Sequence, residues 1–244
     1  MRGWGLAIGG EDDGVWVVRR GEDVGVRART PSSFLVVARG PFLSDAGGIV
    51  VLMVSGDLVR VERELTAGLL RCPGCRDRLA RWAFARRRTV RLVDGDRRVR
   101  PRRVRCVGCK KTQVLLPDDL LVRRRDEAAV IGSALLAHAG GEGHRPIAER
   151  LGVPATTVRG WLRRFRARAV EIAGFFSRWA LVLNPGSDPP GPSGTAVGDA
   201  VEAVGVATRS AVLRFGPRPV WSMASRLTGG GLLANTSSLW LAPS

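Results

Sequence analysis

The four cysteines of the chain occur as two C-x-x-C pairs, with two residues between the cysteines of each pair. Two intervening residues allow a tight turn that presents both thiolates to one ion, and two such turns complete a tetrahedral set of four sulfurs. That ligand set suits zinc and leaves no open coordination position for catalysis. The pattern therefore predicts one structural Zn²⁺ bound by Cys72, Cys75, Cys106 and Cys109.

A redox dithiol is the alternative chemistry for such a pair. A thioredoxin-type site needs a C-x-x-C motif that opens a helix in a βαβ context, and neither pair has that context. One departure from the zinc pattern is that Arg76 and Lys110 stand where glycine would most easily follow each second cysteine. The two histidines, His138 and His144, flank a glycine-rich loop. Packing or capping at a helix end is the expected role for them, with pH sensing or metal binding as the alternative.

The segment between the cysteine pairs must bring the pairs together. It is 30 residues long, which exceeds the usual spacing of about 15–20 residues. Apolar residues and arginines alternate along it, around the turn signal Asp94-Gly95, which is typical of a type I′ turn. We therefore predict a β-hairpin here and a third strand over Thr112–Leu116 that ends at Pro117. Together these elements form a predicted zinc ribbon over residues 53–122.

Positive charge is concentrated around this hairpin. The formal net charge is +17, and residues 61–125 hold 20 of the 39 basic residues but 7 of the 22 acidic ones. An arginine-rich codon bias would spread the charge evenly, whereas a surface that faces phosphate requires local clustering. Because residues two apart share a face of a strand, a basic stripe that contacts DNA phosphate is predicted, with a solvated face as the alternative. The stripe consists of Arg98, Arg100 and Arg102.

A second pattern follows the ribbon. Apolar residues recur at the spacing of one helix face on two successive segments: Ile147, Ala148 and Leu151, then Val158, Trp161, Leu162 and Phe165. Between the segments, Gly152 can end the first helix in a left-handed conformation and begin a sharp turn. Ala148 is small where two crossing helices approach, which favours a helix-turn-helix over an ordinary helical hairpin.

The second of these helices, Pro154–Arg168, is the predicted recognition helix. We expect Arg159 and Arg163 to read guanine edges, and Ala155 or Thr156 to contact a thymine methyl. Phosphate contacts are expected from Thr157 and Arg164. The complete predicted DNA-binding set on this helix is Ala155, Thr156, Thr157, Arg159, Arg163 and Arg164.

The predicted fold class is α+β, made of small modules. A weakly structured N-terminal extension over residues 1–52 precedes the ribbon, with a short β-rich extension or a translation start at Met53 as alternatives. A three-helix, homeodomain-like helix-turn-helix domain covers residues 123–183. A linker over residues 184–195 and a small helical tail over 196–244 complete the chain.

No leader peptide or membrane span is expected. Met1–Gly10 lacks a long apolar core, and the longest apolar run, Ile49–Val54, is far shorter than the ~20 residues that cross a bilayer. We therefore expect a cytoplasmic, nucleoid-associated protein with no membrane partner and no small-molecule substrate. In that reducing compartment, cysteines bind metal more readily than they form disulfides.

These motifs carry a resemblance. Met53–Ala169 resembles the zinc-ribbon and helix-turn-helix front end of insertion-sequence transposases, on the cysteine pairs, the run Arg103–Cys109, Thr112–Pro117 and the Ile147–Phe165 pattern. It is also similar to a family of short, uncharacterised bacterial helix-turn-helix proteins that keep this front end without the catalytic domain.

The resemblance implies a transposase-related protein that binds double-stranded DNA in a sequence-directed way. The transposases continue into a domain with three metal-binding carboxylates, but residues 171–244 offer four acidic residues in too short a segment. We therefore expect no enzyme activity. The alternative is a transcriptional regulator that binds its own or a nearby promoter, in which Val197–Phe215 mediates homodimerisation.

Overall fold

The computed structural model describes residues 50–186 and 188–234, and also three short strands nearer the N-terminus: β1 (Leu6–Gly9), β2 (Val15–Arg20) and β3 (Leu35–Val36). β1 and β2 are antiparallel, and β3 pairs with β2 in parallel. Within these ranges the chain folds into seven helices and small sheets, so the predicted α+β class is confirmed at this level. No described helix is long and apolar enough to cross a membrane.

A four-stranded sheet carries the cysteines. Its strands, in spatial order, are β4 (Val50–Val54), β9 (Thr112–Pro117), β8 (Arg102–Cys106) and β5 (Leu79–Phe84). β4 is parallel to β9, and the other neighbouring pairs are antiparallel. The predicted third strand is therefore present as β9, in the middle of the sheet.

Strand β4 crosses the predicted boundary between residues 52 and 53. It pairs with β9 from Val50 opposite Gln113 to Val54 opposite Pro117, and both Leu52 and Met53 are 1% exposed. The first residues of β4 are therefore part of the sheet rather than of an extension. The remainder of the predicted extension, apart from β1, β2 and β3, lies outside the described residues.

Helix α1 (Leu58–Thr66) follows β4 and covers one face of the sheet. Asp57 caps it, because its carboxylate accepts hydrogen bonds from the backbone N–H groups of Val59 and Arg60. Val61 and Leu65 lie four residues apart on the buried side of α1, in one apolar cluster with residues of β4, β8 and β9.

The predicted hairpin is present between β5 and β8, as β6 (Arg88–Leu92) and β7 (Gly95–Val99). Leu92 pairs with Gly95, so the turn residues are Val93 and Asp94. Neither has a positive φ, whereas Gly95 has φ +128°. The predicted type I′ turn is therefore wrong, since that turn needs positive φ at both central residues. Val90 and Val99 anchor the hairpin in a second small apolar cluster.

Six helices follow. They are α2 (Ala128–Ala139), α3 (His144–Leu151), α4 (Ala155–Arg166), α5 (Ala169–Leu183), α6 (Ala196–Phe215) and α7 (Val220–Leu227). The chain leaves helical geometry at Arg168, with φ −129° and ψ 16°, so α4 does not continue into α5.

Helices α2 to α7 share one hydrophobic core. Phe165, Ile172 and Phe176 are fully buried in it. Gly132 of α2 leaves room for the indole of Trp221 in α7, because a Cβ at Gly132 would lie 2.1 Å from that ring. The predicted linker therefore joins α5 and α6 within a single core, and the described part of the predicted tail belongs to that core. Residues 235–244 lie outside the described residues.

The segment between β9 and α2 is held by the C-terminal helix. The Asp118 carboxylate is buried and accepts hydrogen bonds from Arg226 Nε at 2.6 Å, Arg218 Nη1 at 2.8 Å and the Gly56 backbone N–H at 3.0 Å. Ser225 Oγ also donates to the Leu120 carbonyl at 2.7 Å. These bonds connect the sheet to the helical core.

Candidate metal centre and basic surfaces

The two cysteine pairs lie in turns with the same local backbone. The first turn precedes β5, and the second connects β8 to β9. The Cys72 N–H donates to the Asp77 carbonyl at 2.8 Å, and the Cys106 N–H donates to the Lys111 carbonyl at 3.0 Å, so each turn closes on the residue five positions later.

The residue after each second cysteine has a left-handed backbone. Arg76 has φ 61° and Lys110 has φ 60°, in a conformation that costs a non-glycine residue about 1–2 kcal/mol. This explains why glycine would be the easy residue at both positions. Such strain persists where the surrounding structure fixes the backbone, and sites that bind a ligand are typical of such places.

The four sulfurs form one compact group. Cys72 Sγ and Cys109 Sγ are 3.6 Å apart, Cys75 Sγ and Cys106 Sγ are 3.2 Å apart, and all four lie within 4.8 Å of one another. A tetrahedral ion with metal–sulfur bonds of about 2.3 Å would set the sulfurs about 3.8 Å apart. The predicted ligands are therefore brought together, and the group could hold a metal ion.

A buried glutamine supports this group. Gln113 of β9 is 2% exposed, and its Nε2 donates a hydrogen bond to Cys72 Sγ at 3.2 Å. Donation to sulfur favours the thiolate, which is the form that binds metal. Sequence reasoning missed Gln113, although a lone amide in an apolar strand was a usable signal.

The environment shifts the thiol pKa values in opposite directions. The backbone N–H of Asp77, with smaller help from Cys106, lowers the pKa of Cys75 to about 6. Burial raises the pKa of Cys106 to about 12. One sulfur is thus readily ionised, whereas a buried one needs a cation beside it to lose its proton.

The three arginines of the predicted stripe do not share one strand. Arg98 lies on β7 and Arg102 on β8. Arg100 lies between the two strands, because β7 ends at Val99 and Pro101 precedes the start of β8. Instead, two of them stack on Phe84. Arg100 Cζ is 4.7 Å and Arg102 Cζ 3.9 Å from the centre of that ring.

Acidic side chains compensate part of the hairpin charge. Glu62 of α1 accepts hydrogen bonds from Arg102 Nε at 2.8 Å and Arg81 Nε at 3.0 Å. Burial raises the pKa of Glu62, but these two bonds outweigh it and hold the pKa below its usual value. Arg97 pairs with Asp119 at 2.5 Å. Arg86, Arg87 and Arg98 are exposed and have no ion pair among the described residues.

The turn between α3 and α4 has the predicted geometry. Gly152 has φ 61° and ψ 30°, and the N–H of the next residue, Val153, donates to the Ala148 carbonyl at 3.0 Å. The apolar faces predicted for the two helices are buried, apart from the half-buried Leu151. The buried members are Ile147, Ala148, Val158, Trp161, Leu162 and Phe165.

The opposite face of α4 is open to solvent. Of the six residues predicted to bind DNA there, Thr156, Arg159 and Arg163 are exposed, and the other three are half-buried. Arg166 extends this face, because it follows Arg159 by seven residues and is also exposed. Sequence reasoning missed it, although its spacing was visible.

Arg164, one of the half-buried residues, turns back onto its own helix. Its Nη1 donates to the Gly160 carbonyl at 2.9 Å. A Cβ on residue 160 would lie 2.9 Å from the same nitrogen, so the glycine leaves room for this guanidinium. His138, at the end of α2, has Nδ1 3.1 Å from the Glu142 carbonyl, which agrees with a role at a helix end.

No curated protein and no solved structure matches the chain. A family model described as a domain of unknown function, DUF6431, matches residues 72–161. The matched range begins at the first cysteine and ends within α4, so it includes all four candidate ligands and the turn at Gly152.

Proposed function

We propose that the protein binds double-stranded DNA in a sequence-directed way, through a helix-turn-helix formed by α3 and α4. The observation that carries the proposal is the two-sided character of α4. Val158, Trp161 and Phe165 pack inward, while Thr156, Arg159, Arg163 and Arg166 point to solvent on one face. A helix with one buried and one arginine-bearing face, held by a left-handed glycine turn, fits recognition in the major groove.

The exposed residues of α4 divide by what they can recognise. Arg159 and Arg163 can donate two hydrogen bonds each to the O6 and N7 atoms of guanine, and the methyl group of Thr156 can contact thymine. Ala155 and Thr157 are half-buried and contribute less surface. Arg164 is engaged with Gly160, so its phosphate contact requires release of that bond.

We also propose that the cysteine group binds structural Zn²⁺ as a zinc ribbon. Four thiolates with sulfur separations near those of a tetrahedral site favour zinc over ions that prefer oxygen ligands. Such an ion would join the start of β5 to the end of β8 and hold the hairpin. All four positions would be filled by protein, so the proposal assigns the site a structural role and no catalytic one.

Phosphate contacts are assigned to exposed arginines near the base of the hairpin. Arg86, Arg87 and Arg98 are the candidates, because they lack acidic partners among the described residues. Arg100 is exposed but stacks on Phe84, and Arg102 is held by Glu62. Of the predicted stripe, Arg98 therefore remains a candidate for phosphate contact, and Arg86 and Arg87 take the place of Arg100 and Arg102.

The process we favour is one related to transposition, on the resemblance of the ribbon and helix-turn-helix arrangement to the front end of insertion-sequence transposases. The alternative, a transcriptional regulator, assigned α6 to dimerisation. Within one protomer, α6 already buries Ala200, Ala203 and Ala207 completely against the helical core. That packing weakens the argument for the regulator.

Selection of bound duplexes from random DNA tests the proposal. The full-length protein, loaded with zinc, should enrich a defined sequence. A double variant, Arg159→Ala with Arg163→Ala, should lose the enrichment, whereas Arg178→Ala, an exposed arginine of α5, should retain it. A wild-type pool that remains random after several rounds would refute sequence-directed binding.

A further inference from the structure

The outer strand of the sheet carries an exposed tryptophan at an irregular position. In β5, Arg81 pairs with Val104 and Ala83 pairs with Arg103, so Trp82 is an extra residue without a cross-strand partner. Such a bulge changes the direction of a side chain, and bulges are common next to functional sites. Trp82 is 56% exposed.

Trp82 lies on the face of the sheet that α1 does not cover. On β8, Val104 and Cys106 pack with α1, and Arg102 pairs with Glu62 of that helix. Alternation along a strand places Arg103 and Arg105 on the opposite face. The Arg105 guanidinium carbon lies 4.7 Å from the centre of the indole ring, so Trp82 is on this second face too.

Arg105 is fixed over the ring. Its Nε donates to the Lys110 carbonyl at 3.1 Å, which anchors the guanidinium to the second cysteine turn. The nearest strand neighbours of Trp82 on this face are small or cationic: Ala83, Ala80 and Arg103. Arg103 Nε is buried and has no hydrogen-bond partner among the described residues. Trp82 thus carries one guanidinium over its ring and is still 56% exposed.

We propose that Trp82 and Arg105 form a stacking site for an unpaired nucleobase, so that the protein prefers DNA in which a single strand adjoins the duplex. The inference rests on the proposed DNA binding. Bases stack on exposed aromatic rings whatever their sequence, while arginines beside the ring attract the phosphates. An apolar protein partner fits less well, because small and cationic residues surround the ring.

Phe84, two residues further along β5, provides a matched control. Phe84 is 43% exposed, two guanidiniums stack on its ring at 3.9 and 4.7 Å, and one of them is held by Glu62. Pairing with Arg102 places Phe84 on the α1 face, opposite to Trp82. Phe84 is therefore the more covered aromatic residue of the same strand, because two guanidiniums stack on its ring and one stacks on Trp82.

The experiment compares three fluorescent probes with the zinc-loaded, full-length protein: a blunt duplex, the same duplex with a short oligothymidine overhang, and oligothymidine alone. The overhang should tighten binding by roughly 5- to 150-fold over the blunt duplex, the range that one stacked base provides. Trp82→Leu should abolish this preference, and Phe84→Leu should retain it. Trp82→Phe should keep most of it. We also expect the overhanging DNA to quench less of the tryptophan fluorescence of this variant than of the wild type, because the six other tryptophans remain.

Each other outcome counts against the inference. Equal affinity of the wild type for blunt and overhanging duplexes refutes the stacking site while leaving duplex binding intact. Failure to bind any probe refutes both proposals. An equal loss in Phe84→Leu and Trp82→Leu assigns the effect to the strand as a whole and overturns the role of Trp82. If Trp82→Leu does not fold, unchanged quenching in Trp82→Phe decides against the site.

Discussion

The sheet region and the helical region of this protein contain very different numbers of buried hydrophobic residues. The sheet, over residues 50–122, has two separate clusters of ten and five buried hydrophobic residues. Helices α2 to α7 share one cluster of 32. Small modules with so little core usually need a metal or a disulfide for stability. We therefore expect the helical core to keep its fold alone and the sheet to depend on its cysteines for stability.

Removal of the proposed zinc ion should therefore separate the two regions. Structural zinc contributes about 10–16 kcal/mol in small modules, which is as large as the whole net stability of about 5–15 kcal/mol of a typical domain. We expect Cys106→Ser, or a strong chelator, to lose the β-sheet signal in circular dichroism while most of the helical signal remains. Zinc content by atomic absorption provides the control.

An unchanged sheet signal in metal-free protein would contradict this expectation, because the two small clusters would then suffice to fold the sheet. Complete loss of the helical signal on chelation would contradict it in the opposite way. It would mean that the helical core cannot fold without the sheet.

The buried Asp118 carboxylate connects the two regions through Arg218 and Arg226. Asp118→Asn would break the ion pair with Arg226, which is 3% exposed, and breaking a buried ion pair costs about 3–5 kcal/mol. We expect a loss of that size in urea unfolding, with the helical and sheet signals no longer changing together. Asp119→Asn is the control, since Arg97 in its ion pair is 39% exposed and the loss should stay near 1 kcal/mol. Equal losses in both variants would contradict this role.

The features of the fold that the sequence predicts are those whose interacting residues lie close together along the chain. The spacing within each cysteine pair, the turn at Gly152 and the buried faces of α3 and α4 each depend on residues that are near neighbours in the sequence. The structure agrees with these predictions. The bond between Arg226 and Asp118 joins residues 108 positions apart, and no local pattern indicates it. The parallel pairing of β4 with β9 is equally non-local.

The candidate site divides in the same way. The four ligands were predictable from their spacing, but the Gln113 bond to Cys72 required knowledge of which strand lies beside the first turn. The bulge that turns Trp82 outward depends on a register between β5 and β8. Charge compensation was also missed, because Glu62 lies 40 positions before Arg102.

The helical region is expected to read bases, and this assignment is tested by substitutions on α4. Arg159→Ala or Arg163→Ala should cost about 1–3 kcal/mol on the selected duplex and relax its sequence preference, with little loss on scrambled DNA. Fluorescence anisotropy on both duplexes measures the two quantities. A uniform loss on both would assign these arginines to phosphate instead.

The sheet region is expected to contact phosphate, so its variants should differ in kind. Arg98→Ala should weaken binding to all sequences alike and reduce the slope of log K against log salt by about 0.9. Arg102→Ala should change the slope less, because Glu62 already holds this guanidinium. A change of sequence preference in Arg98→Ala would mean that the sheet is the reader and that the two regions are assigned the wrong way round.

The smallest expected effect concerns Glu62, which holds Arg102 and Arg81 at 2.8 and 3.0 Å. The Glu62 side chain is 35% exposed, so solvent and salt screen these pairs, and Glu62→Gln should lower the free energy of unfolding by no more than about 1 kcal/mol. The same change frees Arg102 for phosphate. We therefore expect Glu62→Gln to bind all duplexes more tightly at low salt and to steepen the salt slope by up to about 0.9. In the double variant with Arg102→Ala the added slope should disappear. If it persists, the gain comes from the lost negative charge alone, and Glu62 does not act by withholding Arg102 from DNA.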